Sequence, residues 1–128
     1  MARSGNNRNM TATAARYHQL SLEGPRHVVV AEGDLDMGTA AHLAAALDHP
    51  IERGKTHVVL DLTDVRFVDS MAIHVLVGAA RELRQRFGRL VIVSRDPGVR
   101  RLIELTRLDM VAPVFNTREA ALRGLLDV

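Results

Sequence analysis

An aspartate, a serine and a histidine lie close together near the middle of the chain, in the stretch RFVDSMAIHVL. Asp69 and Ser70 are adjacent, and His74 follows four residues after the serine. These residue types occur in serine-nucleophile triads, but a serine and a histidine four apart on one helix, without a G-x-S-x-G elbow, do not converge as a triad requires. We therefore expect no enzyme activity from this stretch.

Ser70 has two interpretations at the start of a predicted helix. As the N-cap, its hydroxyl would accept a hydrogen bond from an unpaired N–H group, and its replacement by alanine would cost about 1 kcal/mol. Asp69 would then add about 0.3–1 kcal/mol at the positive end of the helix dipole. As a phosphorylation site, the same position would accept a charge of about −1.5 to −2 without unfolding the helix, and so switch the binding of a partner.

Alternating strand and helix patterns predict the elements that position these residues. Residues 1–15 are polar and lack an apolar period, which predicts a mobile tail before one domain of residues 16–128. Two β-type runs around the turn EGP predict a hairpin, and the later runs THVVLDL, RLVIVS and VAPVF predict strands, the last as an edge or terminal element. Together with four stretches of helical spacing, they predict an α/β fold with a mixed sheet of about four to five strands and about four helices.

The helical stretches also carry signals for their ends and for their buried faces. In the first helix Asp36 is placed as the N-cap and Pro50 just past the end, and in the second Gly88 is placed as the stop. The sequence TDV before the second helix is predicted to be a short connector. The residues predicted to face inward are Leu43, Ala46 and Leu47 in the first helix, Ile73, Leu76, Val77, Ala80, Leu83 and Phe87 in the second, and Val99, Leu102, Ile103 and Leu105 in the third.

The composition argues against several classes of function. Of the 128 residues, 47% are hydrophobic and 25% charged, which is typical of one globular domain. Without Arg3 and Arg8 of the predicted tail, fifteen basic residues face fifteen acidic ones, so we expect no direct binding of nucleic acid. There is no cysteine for a thiolate metal site, and we expect neither metal nor cofactor. No apolar run approaches the roughly 20 residues of a membrane span and no signal peptide is recognisable, so a cytoplasmic protein without membrane contact is expected.

Several separated motifs resemble those of the STAS-domain family of anti-sigma factor antagonists. The stretch VVLDLTDVRFVDSMAIHVL is similar to the family's V-x-L-D-L…F-M-D-S-S-G-L-G core, and it is followed by a long helix, a G-x-x-V-x-V strand and a P-x-V-x-R-L-x-x-L segment. Upstream, AEGDLDMGTAAHLAAAL is similar to the family's G-E-L-D-x-x-x-A-x-x-L motif. The resemblance covers roughly residues 17 to 125 and implies a single STAS-like domain.

The resemblance also implies a function and a set of site residues. In the family, the matching serine is phosphorylated by an anti-sigma factor that is a serine kinase, the unphosphorylated form binds this kinase and releases the sigma factor, and a phosphatase resets the cycle. The residue that matches is Ser70. The partner-binding residues predicted on this basis and from their position are Asp34, Asp36, Asp69, Met71 and His74.

Departures from the family pattern keep an alternative open. The family's D-S-S-G-L-G is Asp69 to His74 here, without either glycine or the second serine. His74 shares a helix face with Ser70 and can approach a phosphate or a partner there, although such a histidine is more often a solvated helix residue. Arg107 replaces a glycine and is not expected to adopt a left-handed cap easily. The alternative is a STAS module that binds a protein or ligand as a scaffold without phosphorylation. The oligomeric state and the sigma factor are not predicted.

Overall fold

Strands and helices alternate along the part of the chain that the computed structural model describes, residues 15–126. The predicted mobile tail lies outside the described residues except for Ala15. The strands are β1 Arg16–Ser21, β2 Arg26–Leu35, β3 His57–Val68, β4 Arg89–Val93 and β5 Val114–Phe115. The helices are α1 Ala40–Glu52, α2 Ser70–Gln85, α3 Pro97–Leu105 and α4 Arg118–Gly124, with a short 3-10 helix at Leu108–Met110.

The five described strands form one mixed sheet in the order β1-β2-β3-β4-β5. β1 is antiparallel to β2, and the remaining neighbours are parallel. The predicted α/β fold, its N-terminal hairpin and the edge position of β5 are thereby confirmed. Parallel neighbours need crossover connections, and the helices between the strands supply them.

β3 is longer than its sequence predicts, because TDV belongs to the strand and is not a connector. The extension pairs with the last residues of β2, after register shifts that follow Val30 and Glu32, and it ends with Leu35 opposite Val68. Such irregularities bend a strand without ending its pairing. The long pairing carries the end of β2 up to the start of α2, and so it brings two distant sequence motifs together.

The ends of α1 also differ from the prediction. Thr39, not Asp36, occupies the N-cap position, and Pro50 lies inside the last turn of the helix. Proline has no N–H, so the carbonyl of Ala46, four residues earlier, loses its helical partner. The side-chain amide of Gln19 on β1 donates to that carbonyl over 2.9 Å. A contact from a distant strand therefore lets the helix continue through the proline.

Apolar side chains fill both faces of the sheet. α1, α2 and α3 cover the larger cluster, while Val59 and Val91 belong to a smaller one beneath Ala121 and Leu125 at the C-terminal end. Of the residues predicted to face inward, Phe87 is 94% exposed and Leu105 is 68% exposed, so these two predictions were wrong. The remaining ones are buried or partly buried. No helix within residues 15–126 is both long and apolar enough to cross a bilayer.

Among residues 15–126, two non-glycine residues take left-handed backbone conformations where helices end. Phe87 has φ of 63°, so it lies past the end of α2 and off its buried face. Gly88 follows this stop, and a Cβ there would overlap the carbonyl oxygen of Thr56. Arg107 has φ of 61° and ψ of 22°, so it adopts the left-handed conformation that was not expected of an arginine in place of a glycine. Its N–H donates to the carbonyl of Glu104 over 3.1 Å, which helps to close the end of α3.

Candidate functional site

Asp69 connects the end of β3, the start of α2 and the loop before α1. Its backbone is extended, and its Oδ1 accepts from the N–H of Ala72 over 3.0 Å, so Asp69 is the N-cap of α2. Its Oδ2 accepts from the N–H of Met37 over 2.8 Å, and its own N–H donates to the carbonyl of Leu35 over 3.0 Å. The prediction that Ser70 caps this helix was therefore wrong. The helix begins one residue earlier than that interpretation placed it, so the extended residue that precedes its first turn is Asp69.

Ser70 is consequently the first residue inside α2, and it is exposed. Among residues 15–126 its hydroxyl makes no hydrogen bond, so its modification would break none of the hydrogen bonds within these residues. The N–H groups of a helix's first turn have no partners within the helix, and the positive end of the helix dipole lies there. The position is therefore accessible to another protein and electrostatically suited to an added negative charge.

The loop between β2 and α1 is held by hydrogen bonds of its own. The Asp36 carboxylate accepts from the N–H of Gly38 over 3.0 Å, which closes a turn rather than capping α1. The Thr39 hydroxyl accepts from the N–H of Asp36 over 3.0 Å and lies 3.2 Å from the carbonyl oxygen of Asp34, to which it can donate. These contacts shape the loop so that the N–H of Met37 points toward Asp69.

The site is also coupled electrostatically to β1 through Tyr17. Burial of the Tyr17 ring and the nearby negative charge of Asp36 raise the pKa of the phenol to about 12. The hydroxyl is buried and has no hydrogen-bond partner among the described residues. Tyr17 therefore stays neutral at ordinary pH, and it reports on the charge of Asp36.

Four of the five residues predicted to bind a partner lie around Ser70. Asp34 pairs in register with Phe67 near the end of β3, and Asp36, Asp69 and Met71 adjoin the start of α2. The fifth, His74, is one turn further along α2 and is exposed. Its side chain lines a groove of about 300 Å³ between α1 and α2, so it lies beside the site rather than within the Asp36 loop.

Two exposed apolar side chains near Ser70 were missed from the sequence. Met37 is 73% exposed in the loop before α1, and Phe67 is 49% exposed at the end of β3. Met71, which was predicted, is 45% exposed. A methionine beside a glycine in a loop and a phenylalanine in a strand give no reliable sign of exposure, because each also occurs in cores. We call Met37, Phe67 and Met71 the apolar rim of the site.

The described residues provide an accessible hydroxyl next to the helix-capping Asp69, together with an exposed apolar rim. Within residues 15–126, no three histidine, cysteine or carboxylate side chains converge as metal ligands. Asp69 is occupied as a helix cap and does not orient a histidine as a catalytic triad would require. The Ser70 hydroxyl can accept a charged group without the loss of a described hydrogen bond.

The family model of the STAS domain matches residues 19–121, and the chain belongs to that family. It is 33% identical over 95 residues to the anti-sigma-F factor antagonist RsfB of Mycobacterium tuberculosis. The aligned residues cover 73% of this chain and 75% of that protein. It is 28% identical over 110 residues to the anti-sigma F factor antagonist of Paenibacillus polymyxa, with 84% and 94% covered.

A solved structure agrees with these sequence relationships. The crystal structure of an anti-sigma factor antagonist from Mycobacterium paratuberculosis matches with a TM-score of 0.80 at 28% identity, covering 88% of this chain and 95% of that chain. The family membership and the fold that the sequence motifs implied are therefore confirmed.

Proposed function

We propose that this chain is an anti-sigma factor antagonist whose unphosphorylated form binds an anti-sigma factor serine kinase and thereby releases a sigma factor. Phosphorylation of Ser70 switches the binding off, and a serine phosphatase restores it. The names of the relatives support the general role. The main support for a phosphorylation switch is that Ser70 is exposed at the first position of α2, while Asp69 and not Ser70 caps the helix.

Phosphorylation at this position leaves the fold intact. The Ser70 hydroxyl holds no described contact, and Asp69 retains its two hydrogen bonds to Ala72 and Met37 when the serine is modified. The phosphate oxygens are favoured by the positive end of the helix dipole and by the first-turn N–H groups. The two states of the protein therefore differ in surface charge and not in architecture.

The added charge opposes docking for two reasons. The phosphoryl group brings about −1.5 to −2 charge beside Asp69 and near Asp36, so the region becomes strongly negative. A partner that covers the apolar rim would also have to remove water from the phosphate, which is costly unless every oxygen gains a new hydrogen bond. Phosphorylation thus weakens an interface centred on Ser70 without changing the residues around it.

The chain then has a regulatory role without a reaction of its own. It acts in the cytoplasm through protein contacts, uses no cofactor and does not contact nucleic acid directly. The partner-binding residues are Asp34, Asp36, Asp69, Met71 and His74, to which we add Met37 and Phe67 because they are exposed beside the same serine.

Intact-mass measurement tests the modification. The protein is incubated with ATP and each anti-sigma factor kinase encoded in the same genome. We expect one kinase to add a phosphoryl group to the wild type and none to Ser70→Ala. If no kinase modifies the wild type but one still binds it, the phosphorylation switch is rejected and the scaffold alternative is favoured.

Binding measurements test the switch itself with two nearly isosteric variants. Ser70→Asp adds a charge, while Ser70→Asn changes the hydroxyl to a neutral amide of the same shape as the aspartate. We expect the asparagine variant to bind the kinase and the aspartate variant to lose most of its affinity, although the helix dipole makes the aspartate variant at least as stable as the asparagine one. Equal affinities of the two variants would contradict a charge-based switch.

A further inference from the structure

A groove between α1 and α2 begins one helical turn beyond Ser70. It has a volume of about 300 Å³. Its lining includes the small side chains of Ala44 and Ala79 and the carboxylates of Asp48 and Glu82, one of each from either helix. The groove is a cleft of small and apolar residues with carboxylates beside it.

The groove continues the face of α2 that carries Ser70. Ser70, His74, Gly78 and Glu82 follow one another at intervals of four residues, so they form one stripe along the helix. The last three line the groove. At about 1.5 Å per residue, Ser70 and Glu82 are about 18 Å apart along the axis. A protein that docks at Ser70 and extends along α2 therefore lies over this groove.

Gly78 has no explanation in the packing of the domain. Its φ is not positive, and a Cβ at this position would meet no atom within 4 Å. Glycine in a helix interior costs roughly 0.8–1.0 kcal/mol relative to alanine. The fold would therefore be more stable with alanine here, while the missing side chain keeps the groove open for close approach by another chain.

The carboxylates give the groove a negative charge. Burial and the nearby charges of Glu82 and Glu52 raise the pKa of Asp48. Within residues 15–126 Asp48 makes no ion pair, whereas Glu82 has an exposed one with Arg86 at 3.1 Å. A cation placed between Asp48 and Glu82 would relieve the repulsion between them.

We propose that the groove between α1 and α2 holds a basic segment of the partner protein, whose backbone passes over Gly78 and whose lysine or arginine lies between Asp48 and Glu82. This inference rests on the proposed function, since the partner is the kinase that docks at Ser70. It extends the docking surface from the serine along α2 and makes charge complementarity part of partner choice.

The test measures the affinity of the purified kinase, without ATP, for the wild type and for groove variants at low and high salt. Gly78→Gln fills the groove with a good helix former, and we expect at least tenfold weaker binding with no loss of thermal stability. Asp48→Asn and Glu82→Gln should each weaken binding by up to about fivefold at low salt, and by less at high salt. Glu23→Gln removes an exposed carboxylate from the β1–β2 turn and is the matched control, expected to bind as the wild type does.

The outcomes separate this inference from the proposed function. If the wild type binds the kinase, Ser70→Asp does not, and all groove variants bind like Glu23→Gln, the groove is not part of the interface and the inference is overturned while the switch stands. If no kinase binds the wild type, the proposed function fails first. Weaker binding by Gly78→Gln and by both charge variants, at unchanged melting temperature, supports the inference.

Discussion

The backbone N–H of Met37 donates to Oδ2 of Asp69 over 2.8 Å, and the other oxygen of the same carboxylate accepts from the first turn of α2. One side chain thus fixes the loop before α1 against the helix that carries Ser70. The serine, the Asp36 loop and the apolar rim therefore keep a defined geometry before any partner arrives. Such preorganisation lowers the entropy cost of binding.

Asp69 should matter more for stability than Ser70. We expect Asp69→Ala to lower the free energy of unfolding by about 1–2 kcal/mol, because it removes the cap of α2 and the bond to Met37. Ser70→Ala should change it by no more than about 0.5 kcal/mol, since the hydroxyl is exposed and holds no described contact. Urea denaturation measures both. A larger loss for Ser70→Ala than for Asp69→Ala would show that the serine is the cap.

The apolar rim should contribute to affinity without contributing to stability. We expect Met71→Gln or Met37→Gln to weaken kinase binding by about tenfold, because exposed apolar side chains near the centre of an interface often contribute more than 1 kcal/mol. Met110→Gln is a matched control, since Met110 is 71% exposed and lies in the 3-10 helix after α3, which contributes no residue to the proposed docking surface. Calorimetric titration compares the three. Equal affinities would remove the rim from the interface.

Tyr17 should titrate unusually late and should respond to Asp36. It is the chain's one tyrosine, so tyrosinate absorbance reports it without interference. We expect a midpoint near pH 12 in the folded protein and about 10 in urea. Asp36→Asn should lower the folded value, because it removes the negative charge. Since the folded pKa exceeds the unfolded one, stability should fall as pH rises above about 10, and circular dichroism must show that the protein is still folded at each point.

His27 should make the fold less stable in mild acid. Burial first, and then the charges of Lys55 and His49, lower its pKa, and its Nε2 lies 2.6 Å from the Gln19 side-chain oxygen, to which it donates when neutral. The unfolded chain takes up a proton near pH 6.5, whereas the folded chain does so only at lower pH, so stability decreases as pH falls below about 6.5. Urea denaturation from pH 7.5 to 5 should show a shallower decrease for His27→Gln. Parallel curves would contradict this assignment.

The ion pair between Asp61 and Arg118 should hold α4 onto the sheet. The Asp61 side chain is 5% exposed, and its Oδ2 accepts from Nε of Arg118 over 2.9 Å. Removing one partner of a buried pair costs about 3–5 kcal/mol, and we expect Arg118→Ala to reach the lower end because Arg118 is partly exposed. Arg123→Ala, an exposed arginine of the same helix, is the control. Kinase affinity should not change in either variant, since α4 packs against the smaller cluster, on the face of the sheet opposite α2.

The elements of the fold could be read from local patterns, and their ends could not. Alternation and helical spacing predict the hairpin, the strands and the inward faces of the helices, because burial of apolar side chains follows the period of each element. Phe87 was misassigned because the helical pattern was extended past the point where the backbone turns left-handed. A local pattern does not show where a helix ends when the residue that takes the strained left-handed conformation is not a glycine.

The motifs around Ser70 also predicted which residues come together, but not how they are bonded. Acidic residues of two separated motifs meet because β2 and β3 pair up to Leu35 and Val68. That pairing joins residues more than thirty positions apart in the sequence. It places the N–H of Met37 within hydrogen-bond distance of Asp69. The exposure of Met37 and Phe67 follows from the same geometry and has no local signal.

By itself, the amino-acid sequence determined the type and order of the elements, the family and the serine at the start of the long helix, because these depend on residue types and short spacings. The tertiary structure decided which polar side chain satisfies which backbone group. Asp69 caps α2 in place of Ser70. The side-chain amide of Gln19 donates to the carbonyl of Ala46 in place of the N–H that Pro50 lacks. Such choices depend on distances between segments far apart in the chain, and only the packed sheet and helices set those distances.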